Sequence, residues 1–192
     1  MAFSQKPKAS SIYRRSISRS PNLASTSCGR RRNTPSDCSL AVEKNGLENW
    51  PRQIVHADWH PGNMLYRENH VVAVIDYDSA RLLPRVIDIA NGALQFSIIG
   101  GEEDVSKWPE YVDESRFKRF LRGYDEVVLL SQAELKTVPY LMIEALIAEA
   151  VFPIAATGTF GRMNGMAFLQ MVQRKVAWMF KSADMLTDLA QN

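Results

Sequence analysis

One stretch constrains this 192-residue chain more than any other: residues 54–80, reading IVHADWHPGNMLYRENHVVAVIDYDSA. Its apolar residues fall in short runs, Ile54-Val55, Met64-Leu65-Tyr66 and Val71-Val72-Ala73-Val74-Ile75. Short runs rich in β-branched residues and bounded by turn residues read as strands. Arg67-Glu68-Asn69-His70 separates the last two runs as a polar turn, which predicts a β-hairpin over residues 63–76. Six polar residues frame it: His56, Asp58, His60 and Asn63 before the first strand, Asp76 and Asp78 after the second. A hairpin brings its two ends together, so Asp58 and Asn63 are expected to face Asp76 across one cleft.

That juxtaposition has a chemistry. Mg²⁺ takes oxygen ligands and keeps several waters, so one carboxylate and one amide can hold it. In protein kinases a loop of the form H-x-D-x-x-x-x-N, followed by a strand and a further Asp, supplies a base and the metal ligands for phosphoryl transfer. Asp58 and Asn63 stand at that spacing, with His56 ahead of them. His56, Asp58 and His60 could instead be read as a zinc cluster of a metal-dependent hydrolase, although the only other His is His70, in the turn.

The longer pattern is more specific. His56-Ala57-Asp58-Trp59-His60-Pro61-Gly62-Asn63, then Val74-Ile75-Asp76-Tyr77, then Asp88-Ile89-Ala90, resembles the aminoglycoside phosphotransferase and choline kinase-like family. That family carries H-G-D-x-H-x-x-N, I-D-[WFY] and D-[LI]-A; Ala57 here replaces its frequent Gly. The resemblance is close over residues 50–100, looser over the remainder, and does not cover 1–45. It implies an α+β fold: the mainly helical C-terminal lobe of a protein kinase-like fold, with a small β-hairpin carrying the catalytic and metal loops. It implies transfer of the γ-phosphoryl group of ATP to a hydroxyl of a small molecule, an amino-sugar, amino alcohol or similar. ATP is then the co-substrate and Mg²⁺ the cofactor. Asp58 becomes the catalytic residue, and Asn63 and Asp76 the metal- and nucleotide-binding ones. His56 is expected to be structural, and His60 is open between loop packing and substrate contact. Asp88 either favours its helix N-terminus by charge or, as the resemblance implies, braces the catalytic loop through backbone hydrogen bonds. A non-catalytic C-lobe acting as an interaction module is the second reading of the same residues.

The N-terminal segment differs in kind. Residues 1–40 hold ten Ser, three Pro, eight basic residues and one acid, Asp37, with no apolar period. Such a composition cannot bury enough surface to offset its ordering entropy. Residues 1–45 are therefore expected to be a disordered basic tail, and 46–192 the folded lobe. An Arg- and Ser-rich, acid-poor start also resembles a transit peptide, and Arg30-Arg31-Arg32 could meet an anionic surface, but a solvated tail is preferred. Nucleic acid is not an expected partner. Cys28 and Cys38 make neither a disulfide framework nor a zinc site, and a cytoplasmic location is expected. No apolar run is expected to reach the length of a membrane span. Residues 41–192 keep 15 basic and 20 acidic residues. That balance is compatible with a cationic acceptor, but an ordinary acidic surface is the preferred reading.

Downstream, residues 41–53 read as a lead-in segment, 81–85 as a loop broken at Pro84, and 102–113 as a loop. Helical spacing recurs at Ile87, Ala90, Asn91, Leu94, Gln95 and Ile98; at Phe117, Phe120, Leu121 and Tyr124; and at Leu135, Val138, Leu141, Met142, Ala145 and Leu146. Ser131-Gln132-Ala133-Glu134 has the form of a capping box. One last helix is expected over 164–189. The resembled family also has an N-terminal lobe that clamps ATP with a Lys and a Glu. Only 53 residues precede the stretch that starts at Ile54, so that lobe is expected to be missing. The chain alone would then bind ATP weakly and turn over little or nothing, and the uncovered apolar face of the hairpin would favour self-association.

Overall fold

A computed structural model describes residues 35–191. Its helices are α1 (Pro35–Lys44), α2 (Val86–Ser97), α3 (Glu114–Asp125), α4 (Gln132–Thr157), α5 (Gly165–Lys181) and α6 (Ala183–Gln191). Its strands pair as three antiparallel ribbons. β1 (Arg52–Val55) pairs with β4 (Arg81–Pro84), β2 (Met64–Arg67) with β3 (His70–Val74), and β5 (Thr159–Phe160) with β6 (Met163–Asn164). The mixed α+β composition agrees with the expected class.

α4 is the hub. α1, α2, α5 and α6 all pack on it, and it is apolar nearly all round, as a helix covered on several sides must be. By length and composition alone it is also long and apolar enough to cross a membrane, which corrects the expectation that no run reaches that length. Here Leu135, Val138, Leu141, Met142, Ile143 and Leu146 are buried against neighbouring helices. The capping box forms as read. Ser131 Oγ accepts the Glu134 N–H at 3.2 Å, and Glu134 Oε2 accepts the Ser131 N–H at 2.8 Å. Pro139 and Pro153 both lie inside the helix, where each removes one i→i−4 hydrogen bond that the packing around α4 must offset. Gly158, with φ 76°, ends the helix in the left-handed region. The Arg85 guanidinium donates to both Glu134 oxygens, at 2.7 and 2.9 Å, and so ties the start of α2 to the start of α4.

Three expectations need correction. Residues 35–44 are helix, not tail: Cys38 and Val42 of α1 are buried in the core against α4. Asp37, Ser39, Glu43 and Lys44 are exposed on its outer face and hide the helix from a reading of composition, and burial pushes the Cys38 thiol up to about 12. The disorder expected for residues 1–34 lies outside the described residues. The segment 81–84 is a strand rather than a loop, in register Arg52↔Pro84 through Val55↔Arg81. Four residues carry no usable period, so that pairing is invisible locally. Finally, the last helix is two helices, broken at Ser182.

The expected hairpin forms, in register Met64↔Val74, Leu65↔Ala73, Tyr66↔Val71 and Arg67↔His70, with an irregularity between Leu65 and Tyr66. Glu68 and Asn69 carry φ of 48° and 67°, the two-residue turn whose twist matches the strands.

Candidate active site

The site begins with a backbone anomaly. Ala57 has φ 60°, the left-handed region where a Cβ is strained and Gly is not. This is the position where the resembled pattern carries Gly. The turn aims the N–H groups of His56 and Ala57 at Asp88, whose Oδ2 and Oδ1 accept them, each at 2.7 Å. Asp88 lies in the first turn of α2, so one carboxylate both sits at a helix N-terminus and holds the loop. Both roles foreseen for it are therefore filled.

His56 is buried and ties the two halves of the site together. Its Nε2 is 2.9 Å from the carbonyl oxygen of Ile75, the residue before Asp76. Its ring packs edge-on to Trp59, with centroids 5.7 Å apart, and against Tyr77 at 5.0 Å. The structural role expected for His56 matches this packing. His60 caps the turn Pro61–Asn63, its Nδ1 accepting the Gly62 N–H at 3.0 Å, while its Nε2 lies 3.8 Å from Asp58 Oδ1.

Asp58 and Asn63 meet. The Asn63 amide nitrogen donates to the Asp58 carbonyl at 2.9 Å and to its Oδ2 at 3.4 Å. Those bonds fix the amide orientation and leave Oδ1 turned away from Asp58. The Ile75 N–H donates to the Asn63 carbonyl at 2.9 Å, so Asp76 follows one residue beyond a bond to Asn63. Asp76 is exposed and holds φ 64°, ψ 57° at the start of the turn Tyr77–Ser79. Left-handed residues other than Gly cost of order 1 kcal/mol and persist where their surroundings fix them. Two of them, Ala57 and Asp76, flank this one site. Asp78 is exposed two residues further on.

Among the described residues no three His, Cys, Asp or Glu side chains converge as metal ligands. The imidazoles explain why for the zinc reading: His56 Nε2 faces the Ile75 carbonyl and His60 Nδ1 takes a backbone N–H. Asn63 and Asp76 are a different donor set, two hard oxygens on adjoining chain segments, and suit Mg²⁺ with water completing its shell.

Sequence reading missed one acid. Glu149, on α4, accepts a hydrogen bond from Gln95 Nε2 at 2.7 Å. Burial, reinforced by the charge of Asp58, pushes its carboxyl up to about 7. The available signal was a lone acid in the apolar stretch Leu146–Ile154; nothing local said that it sits within electrostatic reach of Asp58.

Comparison with known families gives one match. The model described as the phosphotransferase enzyme family (APH) matches residues 27–128, from ahead of α1 through α3. It begins well before residue 46, so the resemblance reaches further toward the N-terminus than expected. No curated protein matches the chain.

Proposed function

The chain belongs to the phosphotransferase enzyme family, and from that premise we propose that it transfers the γ-phosphoryl group of ATP to a hydroxyl of a small molecule. The observation that carries this reading is the joined pair Asp58–Asn63, hydrogen-bonded at 2.9 Å and tied through the Ile75–Asn63 bond to the segment bearing Asp76. Asp58 receives the acceptor hydroxyl. As the new oxygen–phosphorus bond forms and the bond to the bridging oxygen breaks, its carboxylate takes the hydroxyl proton, and ADP leaves. Asn63 Oδ1 and the Asp76 carboxylate would hold Mg²⁺ on the nucleotide phosphates, where the ion offsets the charge of the transferring group. Asp88 and His56 act through position: one holds the loop backbone, the other the distance between loop and hairpin. Little covalent help is needed in such a reaction, so placement is most of the catalysis.

The test is Mg²⁺-dependent ATP consumption by the purified chain against a panel of amino-sugars, amino alcohols and hydroxy acids. Asp58→Asn is expected to lower kcat by at least about 100-fold with ATP affinity kept. Asp76→Ala is expected to abolish Mg²⁺-dependent nucleotide binding measured by calorimetry. A folded chain that binds no Mg²⁺-nucleotide, even weakly, would instead support the interaction-module reading.

A further inference from the structure

A groove of about 500 Å³ opens beside the catalytic loop. Pro61 of that loop forms one wall, Gln95 and Phe96 of α2 another, and Arg116, Arg119 and Phe120 of α3 the third. Its shape is fixed from below. Ile98 and Val112 form a β-bridge, and the Asp113 N–H donates to the Ser97 carbonyl at 2.8 Å, so the end of α2 and the start of α3 cannot drift apart. Gly92 leaves room for the rings of Phe120 and Trp59, which a Cβ there would overlap. The rings of Phe96 and Phe120 stack with centroids 5.4 Å apart and planes 21° from parallel, giving the groove an apolar floor.

The charge of this wall runs against the rest of the body. α3 carries Arg116, Lys118, Arg119 and Arg122 against Glu114 and Asp125, a net +2, while residues 41–192 as a whole carry −5. Arg119 forms no hydrogen bond or ion pair among the described residues. Arg116 spends one nitrogen on Asp113, Nε to Oδ2 at 3.3 Å, and stays 56 % exposed. Two guanidinium forks three residues apart on a helix face one way, and a fork matches a carboxylate or phosphate in a way that an ammonium does not. At the other end, Gln95 is held by Glu149, which feels the charge of Asp58. The groove thus presents the neutral Gln95 amide on the α2 wall, beside Pro61 of the catalytic loop, and two guanidinium groups on the α3 wall.

We propose that this groove is the acceptor site and that the acceptor is an anionic hydroxyl compound, its hydroxyl toward Asp58 and its carboxylate or phosphate on Arg116 and Arg119. This rests on the phosphotransferase reading for the role of Asp58, but the groove's preference for anions is measurable without turnover. A neutral or cationic acceptor leaves both guanidinium groups unused and meets a wall of its own sign or none.

The test is calorimetric binding to the full chain, without nucleotide, of four probes with one aryl scaffold: phenyllactate, phenyl phosphate, phenethyl alcohol and phenethylamine. At least one anion is expected to bind about tenfold tighter than the alcohol, and the amine weakest of all. Anion affinity should fall with added salt, and the tighter of the two anions identifies the acceptor's group as carboxylate or phosphate. Arg116→Gln with Arg119→Gln, both on an exposed helix face, should erase the preference and the salt dependence together while leaving the unfolding midpoint in place. Asp58→Asn should leave anion binding intact. Equal or tighter binding of the amine, or unchanged anion binding in the double Gln variant, overturns the proposal. The two readings also fail separately. An anion-selective groove in a chain that binds no Mg²⁺-nucleotide removes the proposed function alone, whereas phosphorylation restricted to amines or neutral alcohols removes the anionic-acceptor proposal alone.

Discussion

The helical body and the two ribbons that carry the site are built to different standards. In the body, Phe117, Leu121, Ile143, Met171, Met179 and Leu186 are wholly buried. In the ribbons β1–β4 and β2–β3, Ile54 is 76 % and Leu82 63 % exposed, and Leu65, Tyr66, Val71 and Val72 are about half exposed. Packing therefore holds the body, while a few polar bonds hold the site: Asp88 to two backbone N–H groups, His56 to the Ile75 carbonyl, Asn63 to Asp58. Apolar burial is worth roughly 25 cal/mol per Å² and is indifferent to direction. Hydrogen bonds contribute less net energy but fix geometry to tenths of an ångström. A phosphoryl-transfer site needs the second kind of order, and Asp88 on α2 is where it is anchored to the first. The exposed apolar ribbon residues form the surface on which self-association is expected, a proposal that sedimentation over a concentration series would test.

Four changes probe that division. The largest effect is expected from Phe117→Ala, which should cost about 4 kcal/mol in urea unfolding by emptying a fully buried ring site. A loss under about 1 kcal/mol would mean that the body is not the main source of stability. Next, Asp88→Ala removes both acceptors of the loop N–H groups and should cost about 3 kcal/mol. Unlike the first change, it should strip hydrogen-exchange protection from the His56 and Ala57 amides selectively; protection that persists there would break the assignment of the loop to its polar clamp. Third comes a charge inside the body. Lys175 is fully buried, its Nζ donating to the carbonyls of Pro109 at 2.6 Å and Tyr111 at 3.2 Å, and burial, with Arg174 nearby, brings its pKa down to about 8 from 10.5. Between pH 8 and 10.5 the unfolded chain binds more protons than the folded one, so this residue's contribution to stability rises with pH across that window. Lys175→Met should flatten the rise, and an unchanged slope would assign it to other groups. The smallest effect is a gain: Ala57→Gly relieves a left-handed Ala and should stabilise by up to about 1 kcal/mol with the Asp88 clamp intact. A destabilised Gly variant would show that the loop depends on the Cβ for packing.

Much of this was legible in residue order. The hairpin, the polar residues at its two ends, the capping box of α4 and the apolar faces of α2 and α3 are local patterns, each carried by fewer than about 20 neighbouring residues, and local patterns survive without knowledge of the fold. The family resemblance was legible for the same reason, since its motifs lie within residues 56–90. Helix α1 was not, because polar and small residues outnumber the two core positions, Cys38 and Val42, that define its inner face. Nor was the pairing of β1 with β4, whose members lie 26 residues apart at their nearest register pair, Val55 and Arg81.

By itself, then, the sequence determined which chemical groups come to one end of a hairpin, because a short turn leaves its two ends no other place to go. Tertiary structure alone decided what surrounds them. Asp88 reaches back 32 residues to the His56 N–H, Glu149 of α4 comes within the field of Asp58, and α3 turns Arg116 and Arg119 into a groove beside Pro61. Those relations depend on how helices pack around α4, and packing is decided by the shape and volume of side chains distant in the chain, which no local period records.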